Sequence, residues 1–198
     1  MLESAKSKSV DEERIDINDH IKRILSEINR VLSSLSEDDA AGFIQMILSS
    51  KRVFVGGAGR SGIVIRAFAM RLMQLGFTAY VVGETTTPAI RAGDLLVIIS
   101  GSGETRCSHD ILMTAKKAGA YTYLITANES SPMGKLADGK IAISGPTKLS
   151  PGKIESKQVA GSLFEQGAFI FLEGVISAIV KKLKISAEDI MLRHANLE

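Results

Sequence analysis

Apolar residues in the first fifty positions recur every three or four residues, which is the spacing of one helix face. The apolar positions of the first such pattern are Ile17, Ile21, Ile24, Leu25, Ile28, Val31 and Leu32. The pattern predicts a helix over 15–35. A second helix is predicted over 37–48, with Ser36 as its N-cap, because serine at that place accepts from free backbone N–H groups.

After position 50, short apolar runs alternate with helical patterns. The runs predict strands over 53–55, 79–82, 94–99, 121–125 and 140–143. The helical patterns predict helices from the first strand through Leu75, over 104–118 and near 133–137. This alternation indicates a three-layer α/β/α fold with a five-stranded parallel sheet and helices on both faces. We expect the flavodoxin-like strand order 2-1-3-4-5.

The C-terminal part begins with a stretch rich in Gly, Pro, Ser and Lys, which predicts a long surface loop over 146–160. A long helix follows over 162–183, and Ser186 begins a final short one. With 198 residues, the chain is expected to form a single domain. Its predicted parts are N-terminal helices (1–50), a Rossmann-like core (51–145), the loop (146–160) and C-terminal helices (161–198).

Charge and cysteine content exclude several classes of function. The 24 basic and 22 acidic residues give a net charge of +2, and the basic ones are scattered as short pairs. Since no stripe of Lys and Arg alternates with aromatics, we expect no nucleic-acid partner. Cys107 is the only cysteine, which rules out an internal disulfide and a thiolate metal cluster.

Two segments bear on location. Residues 1–10 are polar and lack the apolar core of a signal peptide. The most apolar stretch, 163–180, is interrupted by Glu165, Gln166 and Glu173, which predicts a buried helix and not a membrane span. We therefore expect a cytoplasmic protein without a membrane partner.

A glycine-rich segment, Gly57-Ala58-Gly59-Arg60-Ser61-Gly62, links the first strand to its helix. It matches G-x-G-x-x-G, and Glu84 lies 22 residues beyond Gly62, so a dinucleotide-binding site is one interpretation. A different interpretation is favoured by the segment after the third strand, Ser100-Gly101-Ser102-Gly103-Glu104-Thr105.

In the order 2-1-3-4-5, the first and third strands are neighbours, so both loops would face one crevice, each at a helix N-terminus. Ser61, Ser100, Ser102 and Thr105 would add four hydroxyl groups there, which suits a terminal phosphate monoester. A single loop of this kind is explained equally well by turns and N-caps. Both loops together favour a phosphate site, with Gly59 beside the hydroxyls.

The two loops resemble the sugar isomerase (SIS) domain family. Within it, the chain resembles most the 6-phospho-3-hexuloisomerases. The residues that carry the resemblance are the two loops, 67–72 (AFAMRL), 83–90 (GETTTPAI), 162–166 (SLFEQ) and 193–198 (RHANLE). Positions 158–161 read Gln-Val-Ala-Gly, where the resemblance predicts Pro-Met before the glycine.

The resemblance implies isomerisation of D-arabino-hex-3-ulose 6-phosphate to fructose 6-phosphate through a cis-enediol, without metal or cofactor. It also implies a place in the ribulose monophosphate pathway, including formaldehyde assimilation in some bacteria. The expected assembly is a homotetramer whose sites are completed by a neighbouring subunit.

The reaction needs a base in a poorly solvated place for the C2 proton. Glu165 shares a predicted stripe with Phe169, Leu172 and Ile176, which suits this role. Ser162-x-x-Glu165 also matches a capping box, which local sequence alone favours. The resemblance favours the base, because SIS isomerases place a catalytic glutamate on this helix.

The same resemblance makes His194 the residue for proton movement at the substrate oxygens, with His109 as the fallback. Arg60 and Arg66 are cations able to neutralise phosphate. The further candidates for substrate contact are Gly57, Glu84, Gly103 and Glu104.

The sequence leaves three rival functions open. One is a non-catalytic sugar-phosphate sensor with the same fold, which would keep the serine loops but need no base. The second is a nicotinamide-dependent oxidoreductase, disfavoured because no separate substrate domain is present. The third is an isomerase acting on another phosphosugar.

Overall fold

The computed structural model describes residues 16–146 and 155–197. The helices are α1 (Ile17–Leu32), α2 (Glu37–Ser49), α3 (Gly59–Gln74), α4 (Arg106–Lys117), α5 (Pro132–Leu136), α6 (Ser162–Leu183) and α7 (Ala187–Leu192). The strands are β1 (Val53–Gly57), β2 (Ala79–Val81), β3 (Leu95–Ile99), β4 (Tyr121–Thr126) and β5 (Gly139–Ala142). Most of the predicted loop over 146–160 lies outside the described residues.

All five strands are parallel and lie in the order β2-β1-β3-β4-β5, which confirms the predicted fold. Val55 of β1 pairs with Val81 of β2 on one side and with Val97 of β3 on the other. β3 is buried along its whole length, as expected for a strand covered by helices on both faces. β1 extends through Gly56 and Gly57, which carries the strand up to the first predicted loop.

Apolar side chains fill both faces of the sheet. On one face, Phe43 of α2 stacks between Phe68 of α3 and Phe171 of α6, with ring centroids 6.2 and 5.9 Å away. On the other face, Leu112 of α4 and Met133 of α5 are fully buried in a cluster with strand residues. The helices that carry the candidate residues are therefore held against the sheet by close packing.

Helix α6 spans the predicted residues, but its start differs from the capping-box prediction. Gly161 is the N-cap, with φ 91° and no side-chain cap, so Ser162 is already helical and cannot cap. The capping box at Ser162 and Glu165 is therefore wrong. A true one occurs at α7, between Ser186 and Asp189.

Among the described residues, α6 is also the helix that has the length and composition of a membrane span. Half of its most apolar stretch is buried within the protein. Its buried residues join the core that α2 and α3 form on the sheet. The buried helix predicted from the sequence is thus what the fold contains.

Candidate active site

A cavity of about 370 Å³ opens at the carboxyl ends of β1 and β3, where α3, α4 and α6 begin. It is lined by Ala58, Gly59, Arg60, Ser61, Ile99, Ser100, Gly101, Ser102, Thr105, Pro146, Gly161, Phe164 and Glu165. The two loops predicted from the sequence thus meet at one place, together with the first turn of α6. Ligands bind at such a switch point in open α/β sheets.

All four predicted hydroxyl groups line this cavity. Ser61 and Ser100 are buried, at 8% and 3% exposure. Ser100 Oγ lies 3.3 Å from Thr105 Oγ1, and Ser102 Oγ accepts a hydrogen bond from the backbone N–H of Glu104 at 3.2 Å. Ser100 and Thr105 of the second loop therefore hold their hydroxyls close together, and Ser102 lines the same cavity as Ser61 of the first loop.

The helices that begin at the cavity differ from the others in how they start. Side chains of Asp16, Ser36, Ser131 and Ser186 cap α1, α2, α5 and α7. In contrast, α3, α4 and α6 have no side-chain cap. The first N–H groups of α3 and α4 have no intrahelical acceptors and remain available to an anion, which the helix dipole also favours. In α6, the Ser162 N–H instead donates to the carbonyl oxygen of Val159.

The second loop is shaped by contacts from behind. Gly103 has φ 66°, and a Cβ there would lie 2.0 Å from Ser131 Oγ, so no larger residue fits. Thr126 Oγ1 donates to the carbonyl of Gly101 at 3.2 Å. Gly103 therefore sets the form of the loop from a buried position and does not itself line the cavity.

Glu165 lies in the first turn of α6, with a side chain only 12% exposed. Its carboxylate accepts a hydrogen bond from Nε of Arg60, whose own side chain is 61% exposed. Both residues line the cavity beside the hydroxyl groups. The arrangement thus places one shielded carboxylate beside the hydroxyl groups of both loops, and a positioned carboxylate of this kind can act as a general base.

Other predicted residues lie away from the cavity wall. Arg66 and Glu84 form an exposed ion pair with each other. Gly57 and Glu104 are next to lining residues without lining the cavity themselves. His194 is exposed after α7, with Nδ1 3.3 Å from the carbonyl oxygen of Ala195. These assignments stay predictions.

His109 and Glu173 also lie outside the cavity. His109 Nδ1 is 3.7 Å from Asp110 on the same helix. Glu173 lies 3.9 Å from Arg71 of α3, so it connects two helices of the same chain.

Sequence reasoning missed Phe164 and Gly161. A Cβ on Gly101 would lie 3.0 Å from Phe164 Cδ1, which shows that Phe164 packs directly on the second loop. This contact joins the loop to the helix turn that carries Glu165. Gly161 could have been found from its place immediately before a long helix. Pro146 also lines the cavity, and nothing in the local sequence pattern pointed to it.

Within 16–146 and 155–197, no three His, Cys, Asp or Glu side chains come together in a way that could hold a metal ion. The groups that line the cavity are hydroxyl, backbone amide, guanidinium and carboxylate groups.

Known proteins resemble this chain in sequence over most of its length. Residues 46–166 match the SIS domain family. A 3-hexulose-6-phosphate isomerase of Mycobacterium gastri is 43% identical over 92% of each chain. Another, from Bacillus subtilis strain 168, is 39% identical over 91% of this chain and 98% of its own.

A solved structure extends the likeness to the fold. It is that of a Methanococcus jannaschii protein for which a 3-hexulose-6-phosphate isomerase function was inferred. That protein is 34% identical, with a TM-score of 0.80 over 91% of this chain and 99% of its own. The family predicted from the sequence is thereby confirmed: the chain belongs to the SIS domain family, in the group of the 3-hexulose-6-phosphate isomerases.

Proposed function

We propose that this chain is a 3-hexulose-6-phosphate isomerase, which interconverts D-arabino-hex-3-ulose 6-phosphate and fructose 6-phosphate. One observation carries the proposal: a single cavity combines four hydroxyl groups, three uncapped helix starts and one shielded carboxylate. The relatives with this name cover nearly the whole chain. Residues 1–198 are proposed to form one SIS domain.

The substrate phosphate binds to the two serine loops in this proposal. Ser61, Ser100, Ser102 and Thr105 supply hydroxyl donors, and the starts of α3 and α4 supply backbone N–H groups. Since the phosphate is remote from the reacting carbons, its binding energy can orient C2 against the base. The open-chain 3-ketose needs no ring opening.

Glu165 is the proposed base. It removes the C2 proton, the electron pair of that bond forms the C2–C3 double bond, and the carbonyl oxygen at C3 takes up a proton to give the cis-enediol. The O2 hydroxyl then loses its proton as Glu165 returns one to C3, which yields the C2 ketone. A positioned base of this kind contributes about 10²–10⁴ in rate.

Proton movement between O2 and O3 is assigned to His194 of a neighbouring subunit. Imidazole can both donate and accept near neutral pH. Within one chain, His194 is exposed and lies outside the cavity. The assignment therefore depends on an assembled oligomer.

The proposed assembly is a homotetramer. An apolar groove of about 460 Å³ runs between α1, α3 and α6 and shares Arg60 and Glu165 with the cavity. Its wall includes Ile63, Phe169 and Ile170, which are 69%, 39% and 47% exposed. A second copy covering this groove would bury apolar side chains next to the base.

The proposed setting is the ribulose monophosphate pathway in the cytoplasm.

Isomerisation is tested by incubating the protein with fructose 6-phosphate in D₂O and following the products by NMR. We expect the 3-ulose to form, with solvent deuterium entering at C3 of fructose 6-phosphate. Absence of both the product and the exchange would refute the function.

A second experiment tests the base. Glu165→Gln should retain binding of fructose 6-phosphate and lose at least about 100-fold in turnover. Glu37→Gln, an exposed carboxylate at the start of α2, is the control and should behave as wild type. Binding without turnover in the wild type would instead indicate a sugar-phosphate-binding protein of the same fold.

A further inference from the structure

Glu27 is a buried carboxylate on α1 that no step of the proposed reaction uses. It is 9% exposed and accepts three hydrogen bonds from consecutive residues before α6. Ser156 Oγ donates to it at 2.7 Å, the Lys157 backbone N–H at 3.2 Å and Gln158 Nε2 at 2.9 Å. A carboxylate is costly to bury unless it is satisfied in this way.

Burial acts to raise the pKa of Glu27, but hydrogen bonds from Ser156, Gln158 and Lys157, together with the charge of Arg30, hold its pKa below the usual value. The carboxylate is therefore an ionised acceptor at neutral pH, and hydrogen bonds to charged groups are stronger than those between neutral groups.

Two further hydrogen bonds hold the same segment. Gln158 N–H donates to Ser156 Oγ at 3.1 Å, and Arg30 of α1 donates to the carbonyl oxygen of Glu155 at 2.8 Å. Residues 155–158 are thus attached to one helix by side chains that lie one turn apart. Gln158 lies directly before Val159 and Ala160, the two positions that depart from the pattern of the SIS isomerases, and its amide donates to Glu27.

The anchored segment leads directly into the active site. Ser162 N–H donates to the carbonyl oxygen of Val159, and Glu165 N–H to that of Gly161. Gly161 itself lines the cavity. Because no side chain caps α6, the backbone of this segment is what sets the first turn of the helix.

We propose that Glu27 is a positioning residue for the isomerase: it holds Ser156–Gln158 against α1 and thereby fixes the Glu165 carboxylate over the substrate. The inference rests on the proposed function, in which Glu165 is the base. Glu27 does not touch the cavity, so it acts through Glu165 and not on the phosphate.

The expected result of Glu27→Ala is a fall in kcat of about 10- to 100-fold, because a small displacement of a catalytic group is costly. The inhibition constant of inorganic phosphate, which reports on the serine loops, should change less than about twofold. Because a smaller folded fraction would by itself lower the apparent kcat without changing an inhibition constant, kcat is expressed per folded protein, with the folded fraction measured by circular dichroism.

Removing the donors instead of the acceptor gives a variant that leaves the α1 core intact. The double variant Ser156→Ala/Gln158→Ala should lower kcat in the same way as Glu27→Ala, and Glu27→Asp should restore part of it. Asp94→Asn is the matched control, since Asp94 is also a buried carboxylate but lies outside the cavity. It should reduce stability and leave kcat of the folded enzyme unchanged.

The decisive measurement combines Glu27→Ala with Glu165→Gln. If Glu27 acts through Glu165, adding Glu27→Ala to Glu165→Gln should lower kcat little further, because the base is already gone. An unchanged kcat in the folded double variant Ser156→Ala/Gln158→Ala would overturn the inference. So would a loss of kcat from Glu27→Ala that is as large in the Glu165→Gln background as in the wild type. A rise in the phosphate inhibition constant that parallels the loss of kcat would also overturn it. Full activity of Glu165→Gln alone would remove the proposed base, and with it this inference.

Discussion

Arg60 of α3 donates to the carboxylate of Glu165 on α6, so the cation and the proposed base meet at the mouth of one cavity. Only the arginine is exposed, whereas the carboxylate is largely shielded. Because Arg60 belongs to the first loop and lines the cavity, its guanidinium could contact a phosphorylated substrate while it orients Glu165.

Replacing this cation should affect both binding and catalysis. For Arg60→Met, we expect KM to rise and kcat to fall, each by about tenfold, because a charge-assisted hydrogen bond is lost. Steady-state kinetics measure both constants. Lys116→Met, which removes an ion pair to Asp138 away from the cavity, is the control. Unchanged constants in Arg60→Met would show that the pair has no part in the reaction.

The hydroxyl groups of the two loops should each contribute to phosphate binding. Ser61→Ala and Ser102→Ala are expected to raise the inhibition constant of inorganic phosphate by about tenfold each, since each removes a hydrogen bond to a charged group. Ser49→Ala, an exposed serine at the end of α2, should not change it. Equal inhibition of all three variants would contradict the placement of the phosphate.

The close approach of the first loop to its helix should be sensitive to one methyl group. A Cβ on Gly62 would lie 2.7 Å from the carbonyl oxygen of Gly57, so Gly62→Ala should lower the free energy of unfolding by about 1–3 kcal/mol. Gly174→Ala in α6 meets nothing within 4 Å and should instead raise it by about 0.5–1 kcal/mol. Urea denaturation measures both, and a neutral Gly62→Ala would count against the tight turn.

The apolar groove should control assembly. Ile63→Lys is expected to lower the oligomeric mass in sedimentation, because it places a charge where a second copy is proposed to pack. Tyr121→Lys, at an exposed residue at the amino end of β4 and outside the groove, is the control. A wild-type mass for Ile63→Lys would mean that the subunits meet elsewhere.

Asp94 should make folding stability depend on acid pH. Burial acts to raise the pKa of Asp94, but hydrogen bonds from Arg52 at 2.9 Å and from Arg91 N–H at 2.8 Å hold its pKa below the usual value. A carboxylate whose pKa is lower in the folded state adds stability above its unfolded pKa and loses it as pH falls through the folded one.

Asp94→Asn should therefore cost on the order of 3 kcal/mol at pH 7. The cost should shrink progressively below about pH 4, where the unfolded wild type takes up a proton. Denaturant unfolding of both proteins between pH 7 and pH 3 checks this. A cost that does not vary with pH would show that the charge of Asp94 is not what stabilises the fold.

Local patterns were sufficient for the elements and for the two serine-bearing loops. Ser36 was predicted as a cap from its place before a helical pattern, and its side chain accepts from Asp39 N–H at 3.1 Å. The meeting of Ser61 with Ser102 followed from the rule that neighbouring parallel strands end at one edge. Local pattern failed at Ser162, because a glycine in a left-handed conformation had already taken the cap position.

The sequence by itself determined the strands, their parallel direction and the two hydroxyl-bearing loops, because these follow from periodicity, from the alternation of strands with helices and from turn chemistry. Only the tertiary structure decided which charged groups meet. Arg60 lies 105 positions from Glu165, and Glu27 lies 129 positions from Ser156. Such pairs depend on how α1, α3 and α6 pack together, and no local spacing records that packing.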